Sequence, residues 1–264
     1  MTIAVFGAGG MVGSRVVGEA VTRGHGVLAL SRKPGGGEGV LALREPGGGE
    51  GALAVSEAPG RGHGVLAVSP APGSGGPAVT PVAVDAGDAS AVREVLAGRG
   101  VGVGSGVDAG RRVDAVVLAV RSFPVDEGFL VGATRVVLDA AAEAGTRVLV
   151  VGGAGALRSP GGSGLLVADD PAYVPAEWRP VAAAGVAQLR TCRSHPTADW
   201  VYLSPPALLE PGERTGRYRR GTDTLLTAPD GRSWISAEDL AVAVIDELES
   251  PGAQPHITVV HDQP

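Results

Sequence analysis

The sequence is poor in the residues that mark several classes of protein. Its 264 residues include one cysteine, one lysine and nine aromatic residues, three each of Phe, Tyr and Trp. The single cysteine, Cys192, excludes an internal disulfide, which is typical of a reducing compartment. The net charge is −6 and no basic run occurs, so the chain lacks the cationic patch and the stacking side chains typical of nucleic-acid binding. We therefore expect no nucleic-acid partner.

Long apolar runs are also missing. None approaches the ~20 residues that a membrane helix needs. A predicted strand already includes Ala4, which leaves no room for a signal peptide. These features predict a cytoplasmic protein with no membrane partner.

Metal and nucleophile motifs are absent as well. The five histidines show neither H-E-x-x-H nor paired spacing, so we expect no metal site. No G-x-S-x-G occurs, and Cys192 falls on a predicted helix, where a packed, inert thiol is favoured over a nucleophile.

Glycine and proline are abundant, at 43 and 20 residues, and they concentrate in a repeat. Similar segments occupy 26–38, 39–50, 51–63 and 64–76. We interpret them as an expanded surface loop, which costs little because closure entropy grows only with the logarithm of loop length; a β-solenoid or binding array is the alternative. The sequence predicts a single domain over 1–264 with low-complexity expansions at about 34–78 and 99–112.

Outside the repeats, apolar runs alternate with helical patterns. The apolar run at 3–6, a glycine turn, a helical pattern from Val12 to Arg23 and a second run at 27–30 make a βαβ start. Further strands are predicted at 82–84, 114–120, 147–151, 200–203 and 257–260, and helices at 90–96, 127–144, 181–193 and after Ser236. This order predicts an α/β fold: a Rossmann-type, doubly wound, mostly parallel sheet with helices on both faces and a small C-terminal substrate-side region.

The turn after the first strand has the pattern of a dinucleotide site. It reads Gly7-Ala8-Gly9-Gly10-Met11-Val12-Gly13. Gly7 allows a sharp turn, Gly10 allows backbone to approach a pyrophosphate, and Gly13 allows close helix packing. The free amides and the dipole at the helix start favour phosphate. A glycine turn in a glycine-rich chain is the purely structural alternative.

The end of the second strand selects the cofactor. An acidic residue there would bind the ribose of NAD, but this sequence has Ser31-Arg32-Lys33. Arginine forms paired, charge-assisted hydrogen bonds to phosphate, so NADP(H) is favoured over NAD(H). A solvated loop is the alternative, and the fourth repeat copy ends in Ser69-Pro70 without a cation.

Several motifs in order then resemble one family. They are GAGGMVGSRVV, VDAGD at 84–88, VDAVVLAV at 113–120, RVLVVGGAGAL at 147–157, LSPPALLEPGERTGRYRRG at 203–221 and ISAEDLAVAVIDELESP at 235–251. Together they resemble the atypical short-chain dehydrogenase/reductases, in the NAD(P)H-binding, NmrA-like group often labelled NAD-dependent epimerase/dehydratase. The resemblance covers nearly all of the chain outside 34–78 and 99–112.

The resemblance implies a set of cofactor-binding residues at the strand ends. The residues that would contact the pyrophosphate are Gly7, Gly9, Gly10, Met11 and Val12. Those on the adenosine side are Ser31, Arg32, Asp85, Ala86, Leu118, Ala119 and Val120. Those on the nicotinamide side are Val151, Gly152, Gly153, Ser204, Pro205 and Pro206. For two of these the alternatives are structural, because Asp85 can cap a turn and the proline pair can end a strand.

The proton-transfer residues common in such enzymes are missing. Ala156 stands where relatives often have Ser, and Trp178 stands where a Tyr is often found. No Tyr-x-x-x-Lys occurs, because the one lysine is Lys33. This departure disfavours alcohol dehydrogenation and sugar epimerisation and leaves the catalytic residues unknown.

Hydride transfer to a flavin or quinone does not need that triad, since solvent can supply the proton. The sequence therefore favours an NADP(H)-dependent oxidoreductase acting on a small planar acceptor, although it leaves open whether the protein is an enzyme. Candidate groups above the nicotinamide are Arg121, Ser122, Phe123, Tyr173 and Trp178. The alternatives are a non-catalytic, NmrA-like redox-sensing regulator with a protein partner, and a pathway-specific epimerase, dehydratase or isomerase.

Overall fold

The computed structural model describes residues 1–32, 79–98, 112–162, 164–228 and 231–262. Most of the repeat, the predicted expansion at 34–78 and nearly all of that at 99–112 lie outside these ranges, as does Lys33. The predictions of a loop or a solenoid for the repeat therefore remain predictions. The first repeat copy supplies a strand, Gly26–Ser31.

Ten strands occur in the described residues. In chain order they are β1 (Thr2–Phe6), β2 (Gly26–Ser31), β3 (Val79–Ala83), β4 (Ala115–Leu118), β5 (Arg147–Val151), β6 (Trp200–Ser204), β7 (Leu208–Glu210), β8 (Tyr218–Gly221), β9 (Trp234–Ser236) and β10 (His256–His261). Eight form one sheet in the order β3-β2-β1-β4-β5-β6-β10-β8, in which only β8 runs antiparallel to its neighbour. β7 and β9 form a separate parallel pair.

Five α-helices connect these strands. They are α1 (Met11–Thr22), α2 (Ala89–Leu96), α3 (Glu127–Ala144), α4 (Arg179–Ser194) and α5 (Ala237–Glu249). Short 3-10 turns occur at 154–156, 167–169 and 176–178. Within the described part of the chain, no helix is long and apolar enough to cross a membrane.

The helices cover both faces of the sheet, which explains the continuous apolar runs. Ile3 and Val5 of β1 pack in one core with α1 and α5, whereas Ala4 and Phe6 pack in the opposite core with α2, α3 and α4. Because successive strand residues point to opposite faces, a strand buried on both sides consists mostly of apolar residues instead of alternating apolar and polar ones. This arrangement confirms the predicted doubly wound fold.

The strand order places the ligand-binding edge. The direction of winding changes between β1 and β4, and the carboxyl ends of the parallel strands meet at one edge of the sheet. In open α/β sheets ligands bind at that edge, beside the point where the order reverses.

Two strands differ from their predicted bounds by more than one residue at one end. β3 spans Val79–Ala83 instead of 82–84 and tolerates the exposed Pro81 because it is the outermost strand. β4 ends at Leu118 instead of Val120, because the next residues pass behind the glycine turn.

Candidate functional site

The glycine turn packs directly against the end of β4. Gly7 has a φ of +79°, and its amide donates to the carbonyl of Leu30 at 3.1 Å. A Cβ at Gly7 would lie 2.3 Å from the carbonyl oxygen of Ala119. Both the left-handed conformation and this contact exclude a side chain, so the backbone forms the floor of the turn.

The start of α1 folds back onto the same turn. A Cβ at Gly13 would lie 2.1 Å from the carbonyl oxygen of Gly7, and one at Gly10 would lie 3.2 Å from it. The sequence analysis predicted that Gly13 allows close helix packing. In the structure, the group that Gly13 approaches is the carbonyl of Gly7.

The first turn of α1 presents unpaired amides. Gly10 caps the helix without a side chain, and the first turn carries no acidic residue. In the described part of the chain, the amides of Met11, Val12 and Gly13 donate to no acceptor. Orphan amides at a helix start attract anions through hydrogen bonding and the helix dipole. The donor set and the lack of side chains therefore fit a phosphate group.

The ends of β2 and β3 lie beside this turn. Ser31 is paired with Ala83, and its carbonyl accepts from the amide of Val84 at 3.0 Å. Arg32 follows as an exposed residue whose Cζ lies 5.8 Å from the ring centroid of Phe129.

The loop after β3 holds the next predicted pair. Asp85 is exposed, and its Oδ1 accepts from the amide of Gly87 at 2.9 Å, so it caps a turn; its second oxygen has no hydrogen-bond partner among the described residues. Ala86 is buried. Asp88 then caps α2 by accepting from two of its first amides.

The ends of β4 and β5 bring bare backbone to the same edge. Leu118 pairs with Phe6, whose carbonyl accepts from the amide of Ala119 at 3.0 Å. Val120 is half-buried directly behind Gly7.

Gly152 follows Val151, the last residue of β5, and lies against an aromatic ring. A Cβ at Gly152 would lie 2.0 Å from Cζ of Tyr202. No side chain fits there, whereas Gly153 has open space around its own Cβ position.

The end of β6 carries a buried polar pair that the sequence reasoning missed. Ser204 is fully buried, and its hydroxyl lies 3.0 Å from Nε2 of His256 on β10. Burial, and to a smaller extent the charge of Arg193, lowers the pKa of His256 to about 4, so its imidazole is neutral at pH 7. The pair is formed by neighbouring strands and has no local sequence signal. Pro205 and Pro206 follow as buried residues.

The positions where related enzymes carry the proton-transfer Ser, Tyr and Lys hold Ala156, Trp178 and Ala182 here, and we call this replacement the closed triad position. Ala156 is buried in the 3-10 turn after β5, and Trp178 is 57% exposed. Ala182, four residues after Trp178, packs tightly on Gly155. A Cβ added to Gly155 would lie 2.9 Å from the Cβ of Ala182. This methyl group occupies the place on α4 where the pattern would require lysine.

Tyr202 does not replace the missing tyrosine. Its hydroxyl donates to the carbonyl of Gly185 at 2.9 Å and to Oε1 of Gln188 at 3.2 Å, and its ring is fully buried. Burial raises the pKa of this phenol well above its ordinary value. Tyr202 therefore supports the packing of α4.

The five candidate groups above the nicotinamide divide by environment. Phe123 is 93% exposed, and Arg121 and Trp178 are exposed too. The hydroxyl of Ser122 accepts from the amide of Asp126 at 2.8 Å. Tyr173 packs on a small cluster of Leu157, Val167, Val174 and Leu225. Only the first three therefore leave their side chains largely free of protein contacts.

Other chemistries find little support. Cys192 is fully buried, and burial raises the pKa of its thiol to about 12, which makes it unreactive. Among the described residues no group of three or more His, Cys, Asp or Glu side chains could hold a metal ion.

The predicted cofactor-binding residues thus follow the carboxyl ends of β1 to β6 along one edge of the sheet. Phe129 is a further residue at this edge that sequence reasoning did not include. Its contact with Arg32 joins segments that are far apart in sequence, so no local pattern could have indicated it.

Comparisons with known proteins agree with this architecture. The profile of the NAD(P)H-binding family matches residues 47–251, a range that begins within the repeat. A curated Bacillus subtilis relative, the uncharacterized protein YwnB, is 39% identical over 140 residues, which is 52% of this chain; the chain spans 65% of that relative's length.

Three solved structures cover nearly the whole chain. A candidate exported protein from Burkholderia pseudomallei is 31% identical with a TM-score of 0.70, covering 99% of this chain and 100% of that one. A candidate epimerase from Bacteroides thetaiotaomicron is 29% identical with a TM-score of 0.69, covering 100% and 98%. A candidate NADH-flavin reductase from Streptococcus pneumoniae is 25% identical with a TM-score of 0.68, covering 99% of both. With its Rossmann-type sheet and glycine turn, the chain belongs to the NAD(P)H-binding family.

Proposed function

We propose that this protein is a cytoplasmic, NADP(H)-dependent oxidoreductase that transfers hydride to a small planar acceptor such as a flavin or a quinone. The observation that carries the proposal is the combination of a side-chain-free phosphate cradle with a closed triad position. The chain can hold a dinucleotide, but among the described residues it offers no Tyr–Lys pair for moving a proton. The likeness to a candidate NADH-flavin reductase supports the same class of acceptor.

The pyrophosphate would be held by backbone. Met11, Val12 and Gly13 would donate their amides to it, because the Gly7 amide already donates to the carbonyl of Leu30 on β2 and the Gly10 amide to that of Gly7. Gly10 would instead act by leaving space for the phosphates, whereas Gly7 would let the turn pack directly against Ala119, where a Cβ has no room.

The adenosine would lie across the ends of β2, β3 and β4. Arg32 would form charge-assisted hydrogen bonds to a 2′-phosphate, and the free carboxylate oxygen of Asp85 would accept from the adenine amino group. The partly exposed Ser31, Ala119 and Val120 would line the pocket, and the buried Leu118 and Ala86 would support it from the core.

The nicotinamide would lie between the ends of β5 and β6. Val151, Gly152 and Gly153 would allow its ribose to approach, and Ser204, Pro205 and Pro206 would border its ring. A bound reduced nicotinamide supplies a hydride. The neutral His256 holds the Ser204 hydroxyl below the proline pair, and exposed Arg121, Phe123 and Trp178 are available to position an acceptor, which takes its proton from solvent.

Stopped-flow oxidation of NADPH in the presence of FMN or a soluble quinone tests the activity. We expect acceptor-dependent oxidation that is lost in Gly10→Val, where a branched side chain would fill the cradle, and kept in Gly132→Ala, which has open space on α3. Wild-type protein that shows no acceptor-dependent oxidation above background rejects the activity.

The closed triad position also supports a second candidate. A non-catalytic, NADP-binding redox-sensing regulator would need the cradle but no proton donor, and the exposed Trp178 would be available to a protein partner. Tight NADP(H) binding without turnover, together with a partner that dissociates when the cofactor's redox state changes, would favour it.

A third candidate is a pathway-specific epimerase, dehydratase or isomerase, which the likeness to a candidate epimerase supports. Such an enzyme would require an acid or base other than the missing Tyr–Lys pair.

A further inference from the structure

The contact between Arg32 and Phe129 joins two parts of the predicted adenosine pocket. Arg32 follows β2, and Phe129 lies in the first turn of α3, which follows β4. The Arg32 Cζ lies 5.8 Å from the ring centroid of Phe129, within the ~6 Å range of a cation–π interaction. The guanidinium thus rests on an aromatic ring at the carboxyl edge of the sheet.

Phe129 itself is held firmly. Its amide donates to Oδ1 of Asp126 at 2.9 Å, and the Asp126 amide in turn donates to the hydroxyl of Ser122 at 2.8 Å. The ring is half-buried and packs on the core shared by α2, α3 and α4. The ring face that meets Arg32 is therefore provided by a rigid helix start.

The backbone beneath Arg32 is fixed as well. Ser31 is in register with Ala83, and its carbonyl accepts from the Val84 amide. What remains free is the long Arg32 side chain, and ordering such a side chain costs binding free energy. A ring that holds the guanidinium before the ligand arrives lowers this cost.

We propose that Phe129 is a positioning residue that determines specificity for the adenosine 2′-phosphate by holding Arg32. This inference rests on the proposed NADP(H) function. The cation–π contact does not consume the N–H groups of the guanidinium, which are the part that binds phosphate, and Arg32 is exposed. Phe129 touches Arg32 and need not touch the cofactor.

Two nucleotides that differ only in the group of interest isolate this effect. Adenosine 2′,5′-bisphosphate and adenosine 5′-monophosphate are titrated into wild type, Phe129→Leu and Phe129→Tyr. We expect wild type to prefer the bisphosphate, Phe129→Leu to lower that preference by about two- to fivefold, and Phe129→Tyr to retain it, because tyrosine keeps the ring face. Affinity for the monophosphate should be the same in all three.

Two controls separate positioning from loss of packing. Val136→Ala removes another half-buried contact of α3 with the same core and should leave the preference unchanged. The double variant Arg32→Ala/Phe129→Leu should lose no more preference than Arg32→Ala alone, because Phe129 acts only through Arg32.

The outcomes distinguish this inference from the function on which it rests. A wild-type preference for the bisphosphate that survives, or rises, in Phe129→Leu overturns only the role of Phe129. Wild-type protein that binds neither nucleotide overturns the proposed NADP(H) function and this inference with it.

Discussion

The carbonyl oxygen of Gly7 occupies the place that a side chain on Gly13 would need, because a Cβ there would lie only 2.1 Å away. This contact locks the turn after β1 to the first turn of α1. The amides of Met11 and Val12, which have no acceptor among the described residues, lie in this same first turn. The proposed phosphate cradle depends on this contact.

The contact predicts an unusual sign for a glycine-to-alanine change in a helix. Gly13→Ala should lower the free energy of unfolding by about 1–3 kcal/mol, because the added methyl forces the backbone apart. Gly132→Ala on α3, where nothing lies within 4 Å of the new methyl, should instead raise it by about 0.5–1 kcal/mol. Urea unfolding of both variants measures the difference; stabilisation by Gly13→Ala would contradict the close contact.

The buried carboxylate of Glu19 predicts a stability effect. It accepts hydrogen bonds from Arg214 at 2.7 and 2.8 Å and from Arg23 at 2.7 Å, which ties α1 to the segment before β8. Glu19→Gln should cost about 1–3 kcal/mol of unfolding free energy, because it weakens hydrogen bonds to charged groups. The exposed pair of Arg93 and Glu143 is the control, and Arg93→Gln should cost less than about 1 kcal/mol.

The same carboxylate predicts a dependence on acid. Burial alone would raise the pKa of Glu19, but the hydrogen bonds and charges of Arg214 and Arg23 outweigh burial and place it below the ordinary 4.5. Its contribution to stability is therefore complete above about pH 4.5 and is lost as the pH falls through the lowered pKa. The difference in stability between wild type and Glu19→Gln should shrink in that range, and a constant difference would contradict the account.

The buried imidazole of His256 gives a prediction for NMR. Its pKa of about 4, against an ordinary 6.5, means that the folded protein resists protonation. Because the unfolded chain binds this proton near pH 6.5 and the folded protein only near pH 4, this contribution to the free energy of unfolding is fully present above about pH 6.5 and declines as the pH falls towards 4. The His256 ring signals should titrate near pH 4, and Arg193→Gln should move the midpoint upwards. A midpoint near 6.5 would show that the imidazole is not buried as described.

Arg32→Ala should weaken the preference for NADPH over NADH by about 1.5–3 kcal/mol, typical of hydrogen bonds to a charged group. Affinity for NADH should change little, since it lacks the 2′-phosphate. Calorimetric titration of both cofactors measures this, with Arg135→Ala, an exposed cation on α3, as the charge-matched control. An unchanged preference would mean that Arg32 does not read the phosphate.

Local patterns predicted the elements whose formation depends on local causes. The apolar run predicted at 3–6 forms β1, which begins one residue earlier at Thr2, and the predicted cap of α5 is formed by the Ser236 hydroxyl, which accepts from the Asp239 amide at 3.0 Å. β8 was not predicted, because Tyr218–Gly221 is a charged segment that becomes a strand only by pairing with β10. Propensity carries no information about such a partner.

The candidate site divides in the same way. The glycine turn was recognisable because strand, turn, helix and second strand form one βαβ unit along the chain, whereas most of the other strand-end residues were assigned from the family resemblance. The contacts of Arg32 with Phe129 and of Ser204 with His256 join residues far apart in sequence, and only the sheet order brings them together.

A crystal structure of the protein with NADPH tests the central claim most directly. We expect diphosphate oxygens within about 3 Å of the Met11, Val12 and Gly13 amides, with the 2′-phosphate at Arg32. A dinucleotide bound away from this turn, or a turn that stays empty in crystals saturated with NADPH, would contradict it.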